Sequence, residues 1–439
     1  MLARARRADH QPLQAEGWAC LLFVASLGLN MFSGQWSRLH VPLPLDRLVL
    51  LAAIGFFLAG DQRDRRLRQV LSGQGARLAL FALFGGWATA SALTVGTLTD
   101  RNAAFALADR VLVPLLLFFL APLVVSTERE YRILLRGLVI FGAYLGLTSV
   151  LAVLGPHALV FPSYINDQSL GLGPGRARGP SIEAVGTGVD LVVFGFAAAL
   201  LAYRPGRRSR LIGTAVAGLC FLGAFMTFTR SVWLAVALAV LVAAVKFPAY
   251  RRALGLSVVA LVGFLLLVVV AVPSVLQSAT GRAGTTRSII DRAYTYEAAI
   301  EMVRAHPLFG VGWGRFLDNV PDYVWQSDSG PFTNVRIEAH NVLLARAAEL
   351  GVPGLVLVVL CLAVGPVATL VVDRAPGAVA GEIHVIACVA VCAWFAAAML
   401  SPMSYPLPNA LCWGLGGLAL FWNRRSRRPR SARALVGVG

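Results

Sequence analysis

The sequence predicts an all-α, polytopic integral membrane protein, and three observations predict it. The chain is 57% hydrophobic and 14% charged, where an ordinary soluble domain carries about 25% charged residues. Apolar runs near the ~20 residues needed to cross a bilayer recur from end to end. The basic residues gather in alternate connections between those runs. A soluble chain of this length would divide into about two or three domains. The unbroken recurrence predicts one membrane domain over 1–439 instead.

Twelve spans are predicted, at 17–34, 42–60, 76–96, 103–125, 132–154, 181–203, 209–227, 231–247, 253–272, 338–372, 379–400 and 406–422. The first follows a basic start, Arg4, Arg6 and Arg7, and lacks a small-residue cleavage site, so it reads as a span and not as a leader. The tenth is long enough to hold a bend at Pro353 or Pro366. Alternate connections carry Arg63, Arg65, Arg66 and Arg68; Arg129 and Arg132; Arg204, Arg207, Arg208 and Arg210; Lys246, Arg251 and Arg252; and Arg424, Arg425, Arg427 and Arg428. With the N-terminal segment, Arg77, Arg136 and Arg374, they hold most of the 39 basic residues. Positive loops stay in the cytoplasm, so both termini are expected there. This topology accounts for most of the +17 formal charge without a nucleic-acid partner.

The opposite set of connections is short except at 155–180 and 273–337. The second is too long to be an idle link. Within it, Ile289, Ile290, Ala293, Tyr296, Ala299, Ile300 and Val303 recur at helical spacing, predicting an amphipathic helix over 286–305 that Pro307 stops. Residues Gly310 to Gly314 read as a glycine turn; no strand precedes them, as a phosphate loop would require.

Charged residues inside spans mark sites or pathways. Asp109, Arg110, Asp190, Arg346 and Glu349 all lie about two to three turns from the outer end of their spans. That shared depth predicts a polar cavity open to the outside. A structural alternative pairs Asp109 with Arg110 and Arg346 with Glu349. The six cysteines, Cys20, Cys220, Cys361, Cys388, Cys392 and Cys412, all fall in apolar runs, so no disulfide is expected. Cys388 and Cys392 read as core residues, not ligands. With no His/Cys cluster, acidic nucleotide-sugar motif or P-loop in the sequence, neither metal nor cofactor is expected.

Two outward positions suggest chemistry. Arg230 sits in the tight link Thr227–Ser231 between two spans, where a guanidinium fork suits the phosphate of a lipid; the plain alternative is an interfacial anchor. His340 opens the tenth span, where the positive helix end favours neutral imidazole, able to accept a proton. His157 and His306 read as interfacial residues.

The segment from His340 to Leu344, with Glu349 to Leu355, resembles the signature of the O-antigen ligase/polymerase superfamily. Three further pieces match in order: Arg178-Gly179-Pro180; Thr229 to Leu234; and Arg292 followed by His306 to Gly312. The family often has tryptophan where this chain has Tyr296. The resemblance implies an inverting glycosyltransferase of the GT-C type in a bacterial inner membrane, with a periplasmic active site. The implied donor is an undecaprenyl-diphosphate-linked glycan and the implied acceptor lipid A–core. His340 is then the base, and Arg178, Arg230, Arg287 and Arg292 bind the diphosphate. The chain is short for the protein-modifying branch and has no extra C-terminal external domain, which favours ligase. A polymerase of the same superfamily is the nearer alternative. A lipid-linked-anion exporter is the more distant one; it would need arginines in the inner halves of spans and, as a typical transporter, two related halves.

The topology is testable with cysteines introduced one at a time and an impermeant thiol reagent on cells with a permeabilised outer membrane. Position 65 and the 425–430 tail should be shielded, and positions in 315–330 labelled. Labelling of the tail from outside overturns the arrangement.

Overall fold

The computed structural model describes residues 15–427 except 42, 172–174, 249–250, 253–254, 256–262, 264–286, 325–337 and 374–376. Among the described residues the regular structure is helical and no strand occurs. The helices are α1 Ala15–Asn30, α2 Leu45–Leu58, α3 Arg63–Leu71, α4 Gly75–Thr94, α5 Arg101–Val124, α6 Glu128–Leu154, α7 Ala184–Ala202, α8 Arg207–Phe225, α9 Arg230–Lys246, α10 Arg287–Ala305, α11 Phe316–Tyr323, α12 Val342–Val364, α13 Ala368–Val371, α14 Ala378–Ala398 and α15 Pro406–Arg427.

Seven of these, α4 to α8, α12 and α14, are long and apolar enough to cross a membrane by length and composition. Among the described residues this measure gives seven spans, where the sequence predicts twelve over the whole chain. Helices α1, α2 and α9 are apolar but shorter, at 16, 14 and 17 residues. The predicted ninth span, 253–272, falls almost wholly outside the described residues. Of the 273–337 connection, 287–324 is described, and α10 within it matches the amphipathic helix expected from its spacing.

Helix α7 is the central one: 83% of its apolar window is buried, against 28% for α4 at the periphery. Apolar helices gain little from hydrophobicity in a lipid-like solvent, so close backbone approach must hold them. At Gly213 of α8, a Cβ would lie 2.4 Å from the Ala202 nitrogen and 2.6 Å from the Ala198 carbonyl of α7. Large apolar side chains such as Leu51, Leu83, Ile140 and Leu211 face outward, as lipid contact requires.

The arginine-rich connections are knitted at one end of the bundle. Thr127 caps α6 in a reciprocal box with Glu130. Glu130 also receives Arg66 from α3 at 2.8 Å, with both side chains buried. The connection after α2, read as a loop, is thus partly helical, because Arg66 and Val70 one turn apart both turn inward. Arg204 and Tyr131 meet on Glu382 at 2.7 and 2.9 Å.

At the other end, α12 is broken. Gly351 has φ 70° and ψ −175°, and Pro353 follows inside the helix. The bend expected at Pro353 or Pro366 is therefore at Gly351, just before the first of the two prolines. The break strips the Ala348, Glu349 and Leu350 carbonyls of helical donors, which is costly away from water. Three groups replace them: the Val311 amide on Ala348 at 2.8 Å, the Gly312 amide on Glu349 at 3.0 Å, and the Trp87 indole on Leu350 at 3.1 Å. In return the Val352 amide donates to the Pro307 carbonyl at 2.8 Å. The turn from His306 to Gly314 therefore dips below the start of α12, by roughly 9–15 Å at 1.5 Å per residue. Its Trp313 and Gly314 amides are also engaged, on Ser91 Oγ and Glu349 Oε1. All four amides from 311 to 314 serve the helices, so the segment is a structural turn and no phosphate cradle.

Gly351 occupies a conformation other residues avoid, and a Cβ there would lie 2.5 Å from the Leu308 carbonyl carbon. Gly351→Ala should lower stability by about 1–3 kcal/mol from backbone strain alone, read as a reduced thermal midpoint of the purified protein. Gly86→Ala, where a Cβ meets nothing within 4 Å, should not lower it. Equal midpoints for both variants would remove the joint from the account.

Candidate active site

The site is assembled where α10, the start of α12 and the ends of α5 and α14 converge. One face of α10, with Ala298, Ala299 and Met302 fully buried, packs on Phe316, Val320, Ala339 and Ala348. That packing lays α10 along the start of α12. Tyr296 fixes the register: its hydroxyl lies 3.1 Å from the His340 carbonyl and 3.3 Å from the Met399 carbonyl at the end of α14.

His340 is half-buried, but it is not in the first turn of α12. The helix begins at Val342, and Asn341 is its cap, its Oδ1 accepting the Leu343 and Leu344 amides at 2.9 and 3.1 Å. This corrects the expectation of a span from 338. The free amides of the helix end go to Asn341, so the imidazole precedes the cap and is held through its own carbonyl by Tyr296.

Arg292 lies one turn before Tyr296 on α10. It is half-buried, and its Nε is buried with no hydrogen-bond partner. Burial depresses the Arg292 guanidinium below its ordinary value, and the positive charge of Arg230 adds to that, against an opposing effect of Tyr296. Arg230 is the exposed first residue of α9. The structure thus brings Arg230 and Arg292, far apart in sequence, close enough to repel each other. Two neighbouring guanidinium groups, one with a buried Nε that lacks a hydrogen-bond partner, have the chemistry that suits a multivalent anion. Arg287 is the first residue of α10, and its side chain lies outside the described residues.

Residues 215–359 match the family model described as O-antigen ligase. The matched segment, about a third of the chain, is similar to the O-antigen ligase family. The match runs from the middle of α8 into the second half of α12, and it contains Arg230, Arg287, Arg292, His340, the break at Gly351 and the turn from His306 to Gly314. No curated protein matches the chain. The matched family is one of ligases of the glycosyltransferase kind, and seven described helices are long and apolar enough to cross a membrane.

Within this O-antigen ligase framework, other expected positions fall differently. Arg178 is 1% exposed, and its guanidinium donates to the backbone carbonyls of Leu170, Ile165 and Asp167, the last two at 3.1 and 3.0 Å. A side chain so enclosed organises the 165–170 loop and does not face the Arg230–Arg292 space as a ligand. Asp109 does not pair with Arg110. A turn of π-helix at Ala108–Leu112 sends the two apart: Asp109 to Arg47 at 2.8 Å, and Arg110 to Glu338 at 2.9 Å. The pairing of Arg346 with Glu349 holds, at 2.5 Å, with the Arg346 guanidinium 4.3 Å from the centre of the Trp313 ring. That pair is buried against the joint and is structural. Asp190 is buried in α7 with Oδ1 unpartnered. The single cavity expected from five charges at one depth is thereby divided among separate partners.

Glu338 was not singled out in the sequence. Two residues before His340, it receives Arg110 and the Ser404 hydroxyl, the latter at 2.7 Å. Burial pushes its carboxyl up, but Arg110 and Ser404 more than offset this and hold it below the ordinary range. No local spacing links positions 110, 338 and 404, which are joined only by the fold.

Tyr296→Phe removes the hydroxyl that ties α10 to His340 and Met399. The loss should cost about 1 kcal/mol and speed amide hydrogen exchange in 292–300 and 338–344, without change at the arginine-rich end. Unaltered exchange in both segments would show that Tyr296 does not set the register.

Proposed function

We propose that the protein is an O-antigen ligase that moves a polysaccharide from undecaprenyl diphosphate to a sugar of lipid A–core at the periplasmic face of the inner membrane. The observation that carries this reading is the Arg230–Arg292 pair, with its unused donor, beside the segment that presents His340. The two guanidinium groups bind the diphosphate, with Arg287 added from the start of the same helix as Arg292. Arg178 supports the neighbouring loop. His340 takes the proton from the acceptor hydroxyl; the acceptor oxygen bonds to the anomeric carbon from the face opposite the diphosphate. The carbon–oxygen bond to the diphosphate breaks, and its electron pair leaves with the phosphate, giving inversion. The arginines neutralise the charge that develops there, a transition-state contribution that a preorganised site supplies strongly. Both termini lie in the cytoplasm in this arrangement, as the positive connections require.

Purified protein, lipid-linked glycan and lipid A–core should suffice for transfer, without nucleotide. His340→Ala should lower the rate by about 10²–10⁴-fold while donor binding persists. Arg230→Lys keeps the charge but loses the planar fork and should lose both donor affinity and transfer. Arg304→Ala and Arg315→Ala, whose side chains pair with Glu301 and Asp318, should be mild. Wild-type transfer by a well-folded His340→Ala variant excludes it as the base, and donor binding unchanged in Arg230→Lys excludes the clamp.

A further inference from the structure

Arg178 and its neighbours build a clamp with no assigned purpose. The Arg178 carbonyl accepts from the Glu183 amide at 3.0 Å and from Thr187 Oγ1 at 2.6 Å. Between them Ile182, a buried β-branched residue, is held at φ 58°, a left-handed conformation that such residues rarely adopt. The product of this construction is the placement of Glu183. It occupies the cap position of α7 but does not use its side chain as a cap. Its carboxyl instead meets the Tyr405 hydroxyl and faces the charge of Glu338. The Tyr405 ring lies flush on α7, where a Cβ at Gly186 would come within 2.8 Å of it. Both Glu183 and Glu338 keep partial exposure, so this group opens at the end of the bundle that carries His340.

Two separate groups of polar side chains are tied to the segment that carries His340. Arg292 is one turn before Tyr296, whose hydroxyl holds the His340 carbonyl. Glu338 is two residues before His340 and faces Glu183. Arg230 and Arg292 form one group, and Glu183, Tyr405, Glu338 and Ser404, with Arg110 already bonded to Glu338, form another. A diphosphate is attracted to the first and repelled by the second. A sugar alcohol, rich in hydroxyl donors, fits the second.

We propose that Glu183 binds the acceptor sugar, its carboxylate accepting a hydrogen bond from an acceptor hydroxyl next to the one His340 deprotonates. This rests on the ligase reading above. Glu338 does not substitute for it, because Arg110 and Ser404 already occupy its oxygens. The charged and titratable groups around Glu183 are Arg178 in the preceding loop, Glu338 before α12, Tyr405 before α15 and, two turns along its own helix, Asp190. Burial, then the charge of Glu338, push the Glu183 carboxyl up to about 7, against Tyr405 and Arg178. It is therefore a carboxylate above that pH and loses its accepting charge below it.

The test uses the full-length protein in lipid nanodiscs with saturating lipid-linked donor and varied lipid A–core, from pH 6 to pH 8.5. The wild type should show an acceptor KM that climbs as pH falls through about 7. Glu183→Gln should raise the acceptor KM about tenfold or more at pH 8, as loss of a charge-assisted hydrogen bond does. Its KM should no longer vary with pH, and its donor KM should stay within twofold of the wild type. Glu183→Asp, with the charge kept on a shorter arm, should raise KM but retain the pH dependence; it also serves if the amide variant fails to fold. Wild-type acceptor KM and pH dependence in Glu183→Gln overturn the proposal. So does a donor KM that rises in step with the acceptor KM, the mark of a structural role. A wild type inert toward lipid A–core overturns the ligase reading together with this one.

Discussion

The break in α12 at Gly351, filled by the turn from His306 to Gly314, is the contact on which the rest of the His340 end of the bundle depends. A helix interrupted in an apolar surrounding leaves carbonyls that must find donors, and here the turn and Trp87 supply them. The turn continues directly from α10, which carries Arg292 and Tyr296; the broken helix begins directly after His340. Two halves of one site therefore hang from a single joint. Its tolerance is narrow, since a Cβ at Gly310 would lie 2.4 Å from the Ala348 carbonyl oxygen. Arg346 and Glu349 belong to this joint, clasping Trp313 and the Gly314 amide. Removing one partner from such a buried pair leaves an uncompensated charge and typically costs about 3–5 kcal/mol.

Charge is partitioned with similar economy at α5. One turn of π-helix lets two adjacent residues of opposite sign turn to different neighbours, Arg47 and Glu338. Irregular turns of this type recur at functional positions because they re-aim side chains without ending the helix. Arg110 thereby neutralises Glu338 and leaves Glu183 as the carboxyl nearby without an ion-pair partner of its own.

Much of this was legible in the sequence. Composition and run length gave the helical membrane class, and the 3.6-residue period placed α10 to within one residue at its start. The glycine turn and the bend near Pro353 were also readable, because Gly and Pro act locally. His340, Arg230 and Arg292 stand out through ordered motifs, and the fold links α10, which carries Arg292, to His340 through Tyr296 and sets Arg230 near Arg292. What was illegible depends on contacts between distant segments. Arg178 is an expected anion ligand through the family resemblance, yet loop carbonyls enclose it. Asp109 and Arg110 looked like a pair because they adjoin, and backbone irregularity separated them. Glu183 and Glu338 carry no spacing that links them. Among the described residues, α1, α2 and α9 are shorter than the apolar runs that contain them.

The close approach of α5 and α15 has a consequence for how the protein is made. A Cβ at Gly417 would come within 1.9 Å of the Phe118 carbonyl oxygen, and the Trp422 indole donates to the Val125 carbonyl at 3.1 Å. Helix α5 emerges from the ribosome some 300 residues before its partner, a separation of 297 at the Trp422 bond. During that interval the face it will bury has no α15 to cover it, and the Asp109 carbonyl waits for Asn409. Closure of that flank of α5 therefore waits for the synthesis of α15.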